Sequence, residues 1–319
     1  MTKLKEGLTL IEVVISMAIL GFVIGMILFL LNLKMREAVR ERGYAFMSTE
    51  IQLATEIITW DLWMEGFGLQ SEVYPLVEWE NVGLNGSDSV KLRAVAFITE
   101  PNRWTYTIKK TRNSDTLFVY RWDNPEQNID SSENIIILMG NKDFVAGPLQ
   151  VEKAKDTVIT LGGQAHNVRM LKVSSTIPII NTGYLVFVVN TPLSTYTEIT
   201  YKLRSDETLL RSGNEVLKNV RLFKVDFGVD TLGDGNITWL STIPAGWTPT
   251  YLRDNLKLIQ FSLIIHSPRK DRDYTYPSDV VTVATPDTSI VHTLNLTPED
   301  RHYHWIPLTL VVKPRNLFR

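Results

Sequence analysis

An uninterrupted apolar stretch near the N-terminus constrains the fold of this chain more than any other feature. Apart from Ser16, the residues Val13–Leu31 are apolar or glycine, and a short polar leader with Lys3, Lys5 and Glu6 precedes them. As a helix with a rise of 1.5 Å per residue, this stretch would span roughly 28 Å, about the thickness of the hydrocarbon core of a bilayer. We therefore expect an N-terminal helix that crosses a membrane.

One carboxylate, Glu12, stands at the entrance of this apolar stretch. A charge costs roughly 2.5–3.5 kcal/mol at the centre of a spanning helix and less near its edge, so Glu12 needs a partner that neutralises it. An ordinary signal anchor with an acid near its polar end is the alternative. A cleaved secretory signal is excluded, because the apolar core of such a signal is shorter than the apolar stretch of this chain. The positive-inside rule does not decide the orientation, since more basic residues follow the stretch than precede it.

The segment Gly7-Leu8-Thr9-Leu10-Ile11-Glu12, together with Gly21, resembles the N-terminus of type IV prepilins, also called the class III signal. Family members usually carry Phe where this chain has Leu8. The resemblance implies that a membrane prepilin peptidase and methyltransferase cleaves between Gly7 and Leu8 and methylates the new Leu8 amine. Glu12 would then neutralise that amine, in its own or a neighbouring subunit, and so fix the register of a fibre. It also implies a single-pass protein of the bacterial inner membrane, with its C-terminal domain outside the cytoplasm, that later joins a pilus.

The helix is expected to continue beyond the membrane. Helix formers dominate from Lys34 to Glu65 and no proline occurs before Pro75, which predicts one nearly continuous helix from Leu8 to Gly66. An apolar stripe should pack its second half on a sheet; the stripe consists of Met35, Val39, Phe46, Leu53, Ile57 and Met64, with Ala54, Ile58 and Leu62 beside them. Gly21 and Gly25 form a G-x-x-x-G step that permits close helix–helix approach, although glycine is frequent in membrane helices in general.

From Ser71 onward, short β-branched and aromatic segments alternate with turn residues. The predicted strands include Ser89–Ile98, Thr116–Arg121, Asn134–Met139, Thr157–Leu161, Gly183–Val189 and Glu198–Leu203. The predicted fold class is α+β, with a long N-terminal helix, transmembrane and then amphipathic, packed on a C-terminal antiparallel β-sheet domain. We expect four regions: a leader peptide removed on maturation (1–7), a transmembrane and polymerisation helix (8–33), its amphipathic extension (34–68) and a β-rich globular domain (69–319).

Later segments resemble PilW-like minor pilins. The matching positions are Asp61, Leu62, Gly66 and Phe67, the block Asn219–Ile237, the long strand Leu256–Ser267, and the closing strand Leu308–Lys313 followed by Pro314-Arg315-Asn316-Leu317. This likeness implies a non-enzymatic minor pilin that works with other pilins to initiate or cap a type IV pilus. A type II secretion pseudopilin, or a tip-located binding and adhesion module, are the alternatives; the size of the β domain motivates the second.

Few residues are arranged for chemistry. Asp230, Asp234 and Asn236 have part of the spacing of a calcium loop, while a hairpin turn built on Asp-Gly is the alternative. The absence of cysteine excludes thiol catalysis and Cys-based zinc sites, and a net charge of −2 gives no sign of a nucleic-acid partner. No G-x-S-x-G block or phosphate-binding glycine loop is present. We therefore expect no enzymatic activity and no cofactor other than possible calcium.

Overall fold

The computed structural model describes residues 10–95, 103–189 and 196–314, apart from the side chains at 36, 39, 40, 42 and 43. Its described helices are α1 (Leu10–Met64) and α2 (Pro249–Asn255). Its described strands are β1 (Leu76–Trp79), β2 (Ser89–Ala94), β3 (Trp104–Tyr106), β4 (Thr111–Tyr120), β5 (Asn134–Leu138), β6 (Phe144–Leu161), β7 (Gln164–Ile180), β8 (Leu185–Val189), β9 (Thr197–Leu203), β10 (Leu209–Arg211), β11 (Asn214–Leu217), β12 (Val220–Val229), β13 (Thr238–Leu240), β14 (Leu256–His266), β15 (Val280–Ala284), β16 (Val291–Asn295) and β17 (Trp305–Val312). The protein is therefore α+β, as predicted.

The chain divides into two compact units, Met1–Ile51 and Gln52–Arg319. The described part of the first unit is helical and belongs to α1. Among the described residues, one helix is long and apolar enough to cross a membrane, and this is the Leu10–Met35 part of α1. Helix α1 contains no proline and extends into the second unit as far as Met64, so the long helix predicted from the sequence is confirmed.

Two antiparallel sheets form the scaffold of the second unit. One has the order β1-β2-β9-β10-β11 and the other has the order β13-β12-β14-β17. The central strands β12 and β14 carry large buried side chains, among them Phe223, Phe227 and Phe261. Tyr201 of the first sheet meets Phe261 of the second edge to face, with ring centroids 5.6 Å apart. The hairpin β15–β16 covers other residues of the four-stranded sheet, since Val283 and Leu294 share a buried apolar cluster with Leu222 and Ile264.

The segment before β2 protects the open edge of β12. Strand β13 pairs only with the end of β12, from Phe227 to Val229. Further up the strand, the backbone N–H of Phe223 donates to Ser87 Oγ at 3.0 Å, and the N–H of Val225 donates to a carboxylate oxygen of Asp88 at 3.0 Å. Side chains therefore replace the missing strand and join the two sheets.

The remaining strands form a six-stranded sheet with the order β3-β8-β5-β6-β7-β4. Its two end strands meet, because Thr107 and Val119 form an antiparallel bridge and the N–H of Ile108 donates to the carbonyl of Phe118 at 2.9 Å. The sheet thus closes into a small barrel with its own buried core, which consists of Leu117, Val119, Ile129, Ile135, Ile137, Val151, Leu171, Val173, Ile177, Ile180 and Val186. On the seam, the rings of Tyr106 and Tyr120 stack with centroids 5.1 Å apart.

This barrel is an insertion between two neighbouring strands. Strands β2 and β9 pair antiparallel, and Ala94 lies opposite Thr197 at the end of their ladder. All strands of the barrel lie between these two residues in sequence. The barrel docks through a second apolar cluster, in which Phe67 and Phe187 meet edge to face with ring centroids 5.2 Å apart. The sequence predicted strands in this region but not a separate barrel.

The predicted stripe on α1 is only partly right. Ala54, Ile58 and Leu62 are buried, with at most 1% of their surface exposed, whereas Leu53 and Ile57 are 56% and 41% exposed. Neighbouring helical residues differ by about 100° in direction, and here the side of the helix with Ala54, Ile58 and Leu62 is covered while the side with Leu53 and Ile57 is open. The prediction that Leu53 and Ile57 pack on the sheet is therefore wrong, and Met35 and Phe46 of the same stripe are also exposed, by 66% and 64%.

Candidate functional site

The candidate assembly site is the N-terminal part of α1. Gly7, Leu8 and Thr9 lie outside the described residues. Glu12 lies in the first turn of α1 and its side chain is exposed. The N-terminal end of a helix carries a partial positive charge that favours a carboxylate at this position. Glu12 therefore stands where a cationic amine just before the helix would lie within reach.

The surface around Glu12 is apolar on every side of the helix. All the large apolar side chains between Leu10 and Met35 are exposed, and many have more than half of their surface uncovered. Exposed apolar surface on this scale requires lipid or another protein to cover it. A Cβ atom added at Gly21 or Gly25 would meet no heavy atom within 4 Å, so both glycines leave the helix open to close approach by a neighbour.

The second unit carries a further exposed apolar strip on α1. Leu53, Ile57 and Trp60 lie four and three residues apart, which puts them on one side of the helix. They are 56%, 41% and 43% exposed. Trp60 meets Trp63 edge to face, with ring centroids 5.3 Å apart. We call Leu53, Ile57 and Trp60 the outer strip; it is the face of the helix that the β sheets do not cover.

Asp61 attaches the end of α1 to the five-stranded sheet. The Arg211 side chain donates from Nε to Asp61 Oδ2 at 2.6 Å and from Nη2 to Oδ1 at 2.9 Å, while the Tyr201 hydroxyl donates to Oδ2 at 2.5 Å. Asp61 and Tyr201 are buried, with 2% and 0% of their surface exposed. The hydrogen bond to Asp61 raises the pKa of Arg211, and burial raises the pKa of the Tyr201 hydroxyl. This bidentate pair is a rigid joint between helix and sheet.

Sequence reasoning identified Asp61 as part of a motif but missed both of its partners. Arg211 lies 150 residues away in sequence and Tyr201 lies 140 residues away. No local pattern links positions at such distances. The available signal was the combination of a buried-looking acid on the helix and an arginine at the end of the apolar pair Leu209-Leu210.

The loop between β12 and β13 contains the calcium candidates Asp230, Asp234 and Asn236. Asp230 accepts from the backbone N–H of Gly233 at 2.7 Å and of Gly235 at 3.1 Å. Asp234 accepts from the backbone N–H and the side-chain amide of Asn236, both at 2.9 Å, and this backbone bond is the main cause that lowers the pKa of Asp234. Within the described ranges, no three His, Asp or Glu side chains group as metal ligands. These contacts are those of an Asp-based turn, and calcium binding here stays a prediction.

The N-terminus matches a known motif. Residues 2–28 fit the family model described as the prokaryotic N-terminal methylation motif. The chain has the N-terminus of a type IV pilin-like or pseudopilin-like protein. This motif implies processing by a prepilin peptidase and association with a pilus or secretion machinery, and it is typical of structural, non-enzymatic subunits. With the apolar part of α1, it fits a single-pass membrane-anchored protein. Neither a curated protein nor a solved structure matches the chain.

Proposed function

We propose that this protein is a minor pilin of a type IV pilus, a non-enzymatic subunit that helps initiate or cap the fibre after processing of its leader. The observation that carries the proposal is the methylation motif at residues 2–28, which leads directly into an apolar helix that is exposed on all sides. Such a helix can rest in lipid and later pack among the helices of other subunits.

Glu12 would set the register of that packing. Cleavage between Gly7 and Leu8 would create a cationic amine about one helical turn before Glu12. In an apolar surrounding, an amine and a carboxylate favour the arrangement in which each neutralises the other. The Glu12 of one subunit would thus select the amine of its own or the neighbouring chain, while Gly21 and Gly25 allow the helices to approach closely.

A pilus rather than a secretion pseudopilus is favoured by the PilW-like segments. Each residue of the matching helix end has a distinct structural role: Asp61 anchors the helix, Leu62 is fully buried, Gly66 adopts a φ of 72° and Phe67 packs against the inserted barrel. In this proposal, the leader lies in the cytoplasm, the β domain lies outside it, and the partners are other pilins and the prepilin peptidase.

Mass spectrometry of the mature N-terminus tests the proposal. We expect a chain that begins at a methylated Leu8 in cells with a prepilin peptidase, and an intact Met1 chain would contradict it. The variant Glu12→Ala should insert normally but join fibres at least about tenfold less often, the loss expected from one unpaired charge in an apolar core. Ser16→Ala, a polar residue farther along the same helix, is the matched control. Recovery of the chain with a type II secretion complex instead of pili would favour the pseudopilin alternative.

The inserted barrel favours a second, compatible function as a binding module at the fibre tip. The barrel has its own core and leaves the pairing of β2 with β9 intact. A module attached in this way can vary without disturbing the helix or the scaffold sheets. This arrangement is typical of a recognition element added to an assembly scaffold.

A further inference from the structure

The barrel carries a protruding β ribbon. Strand β5 pairs with β6 only as far as Gln150, and β4 pairs with β7 only as far as Val168. Beyond these points β6 and β7 pair with each other, up to Leu161 opposite Gln164. We call Thr157–Asn167 the ribbon. At about 3.3 Å per residue, it extends roughly 15 Å beyond the end of β4.

The ribbon lacks the charges, prolines and bulges that usually protect an exposed edge. Its sequence contains no Asp, Glu, Lys, Arg or Pro. Each of its residues is exposed or half-buried, and Val158 is 60% exposed. The ladder between β6 and β7 is irregular only near Val151, outside the ribbon. Natural proteins block such edges with charges, prolines or bulges, because an open edge pairs with other strands. The absence of charges, prolines and bulges points to an edge that is open to pairing with another strand.

The last charged residues on the two strands, Asp156 and Arg169, lie at the base of the ribbon and form ion pairs. Asp156 accepts from Arg121 Nε at 2.7 Å and from Arg169 Nη1 at 2.7 Å. These bonds hold the base of the ribbon against the mouth of the barrel. The uncharged part of the open edge of β6 therefore begins at Thr157, and a strand that pairs with the ribbon there meets no Asp, Glu, Lys or Arg side chain.

The hydrogen-bonding groups on the free edge follow from the register. Leu161 and Gln164 flank the two-residue turn Gly162–Gly163, whose φ angles of 58° and 85° suit a tight hairpin. Hydrogen-bonded and non-hydrogen-bonded pairs alternate along an antiparallel ladder, so Val158 and Thr160 direct their N–H and C=O groups away from β7. Within the described part of the chain, β6 has no second strand partner along the ribbon. A strand laid there would find these groups available.

We propose that the ribbon of a second copy of this chain pairs with that edge. In an antiparallel pair with the two Ile159 residues opposite each other, Val158 of each copy lies opposite Thr160 of the other. Their outward N–H and C=O groups then meet across the pair. In this register, Lys155 and Asp156 fall opposite glycines of the partner's turn, and like charges do not meet. A shift toward the barrel that centred the pair on Lys155 would set two lysines against each other. The open edges of the two ribbons therefore match each other in charge, in β-branched content and in hydrogen-bond pattern.

Because the chain contains no cysteine, an introduced cysteine can form a disulfide only with another introduced cysteine or with a different protein. Residues opposite each other in a non-hydrogen-bonded pair have Cα atoms about 4.5 Å apart, which is within the range of disulfides. We therefore expect full-length Ile159→Cys in detergent micelles to form a disulfide-linked dimer under mild oxidation. Leu232→Cys, at a site that is 85% exposed in another loop, is the matched control for random contact within a micelle.

A second change keeps the test decisive. Thr160→Lys in the Ile159→Cys background should reduce the dimer at least about tenfold, because it places a charge against the partner's Val158. Both positions lie on the exposed ribbon, so circular dichroism should show that the domain stays folded. The proposal is overturned if Ile159→Cys links no better than Leu232→Cys, if Thr160→Lys leaves the dimer unchanged, or if Ile159→Cys in membranes links only to a different protein. The readout requires no fibre, so its failure is distinct from failure of the proposed pilin function.

Discussion

Removal of the Asp61 carboxylate should weaken the attachment of α1 to the β domain more than any exposed substitution on this helix. In Asp61→Ala, the Arg211 guanidinium, whose side chain is only 19% exposed, loses its bidentate partner. The buried Tyr201 hydroxyl loses its acceptor at the same time. Both groups were desolvated on folding, and the contact that remains between Arg211 and the Tyr201 hydroxyl does not neutralise the guanidinium charge.

The size of the effect follows from this geometry. Loss of one partner of a buried ion pair costs about 3–5 kcal/mol, since the other charge stays buried. For a domain of this size, this corresponds to a fall of roughly 6–20 °C in Tm. Asp61→Asn keeps the shape of the side chain and should cost less, because its amide oxygen still accepts one hydrogen bond.

Urea unfolding of the full-length chain in detergent micelles, followed by tryptophan emission, measures this cost. The variants are Asp61→Ala, Arg211→Met and their combination, with Glu56→Ala on an exposed position of the same helix as the control. The combined variant should cost about 1–3 kcal/mol less than the sum of the two single changes, because it leaves no unpaired charge. Glu56→Ala should stay within about 0.5 kcal/mol of wild type. The reasoning is refuted if Asp61→Ala behaves like Glu56→Ala, or if the two single costs simply add.

Two further predictions concern the β domain. Burial raises the pKa of Glu78 from 4.5 to about 8, so its contribution to stability is full below pH 4.5 and is lost as the pH rises through 8. The upper limit of this loss is roughly 5 kcal/mol, and the partial exposure of the group reduces it. In urea titrations, the free energy of unfolding should change less between pH 5 and pH 8 for Glu78→Gln than for wild type. Equal changes in the two proteins would count against the assignment. A second variant lacks the barrel: a two-residue turn that joins Ala94 to Thr197 replaces residues 95–196, and Phe67→Ser removes the apolar ring that this deletion would expose. This variant should keep a cooperative urea transition with a smaller m value. Loss of cooperative unfolding in that variant would mean that the barrel is part of the scaffold.

The sequence was sufficient for features that depend on local patterns. The apolar stretch and the absence of proline predicted α1. The likeness to PilW-like minor pilins predicted a long strand at Leu256–Ser267, which β14 matches closely. The pair Gly162-Gly163 is a local signal of the same kind, because a residue that tolerates positive φ suits such a tight hairpin. In each case the deciding interaction lies within a few residues of the signal.

Features that depend on distant contacts were not predictable. The barrel closes through the bridge between Thr107 and Val119, which carries no signal different from that of any other strand end. The strands β6 and β7 are 18 and 17 residues long, since the barrel and the ribbon use successive parts of the same hairpin. On α1, the sequence cannot distinguish Leu53 from Ala54, because both fit a helical apolar pattern and only the position of the sheet decides which is buried.

That last distinction bears directly on function. A helix that only anchored the β domain would gain nothing from apolar side chains on its uncovered side, yet Leu53, Ile57 and Trp60 are each more than 40% exposed. Full burial of a large apolar side chain contributes about 1.5–3 kcal/mol relative to full exposure, so a neighbour that covers these half-exposed side chains would contribute roughly half of that for each. The outer strip is therefore more favourable in an assembly than in an isolated chain. Combined with the exposed apolar surface from Leu10 to Met35, it argues for a subunit whose stable state is reached among other subunits.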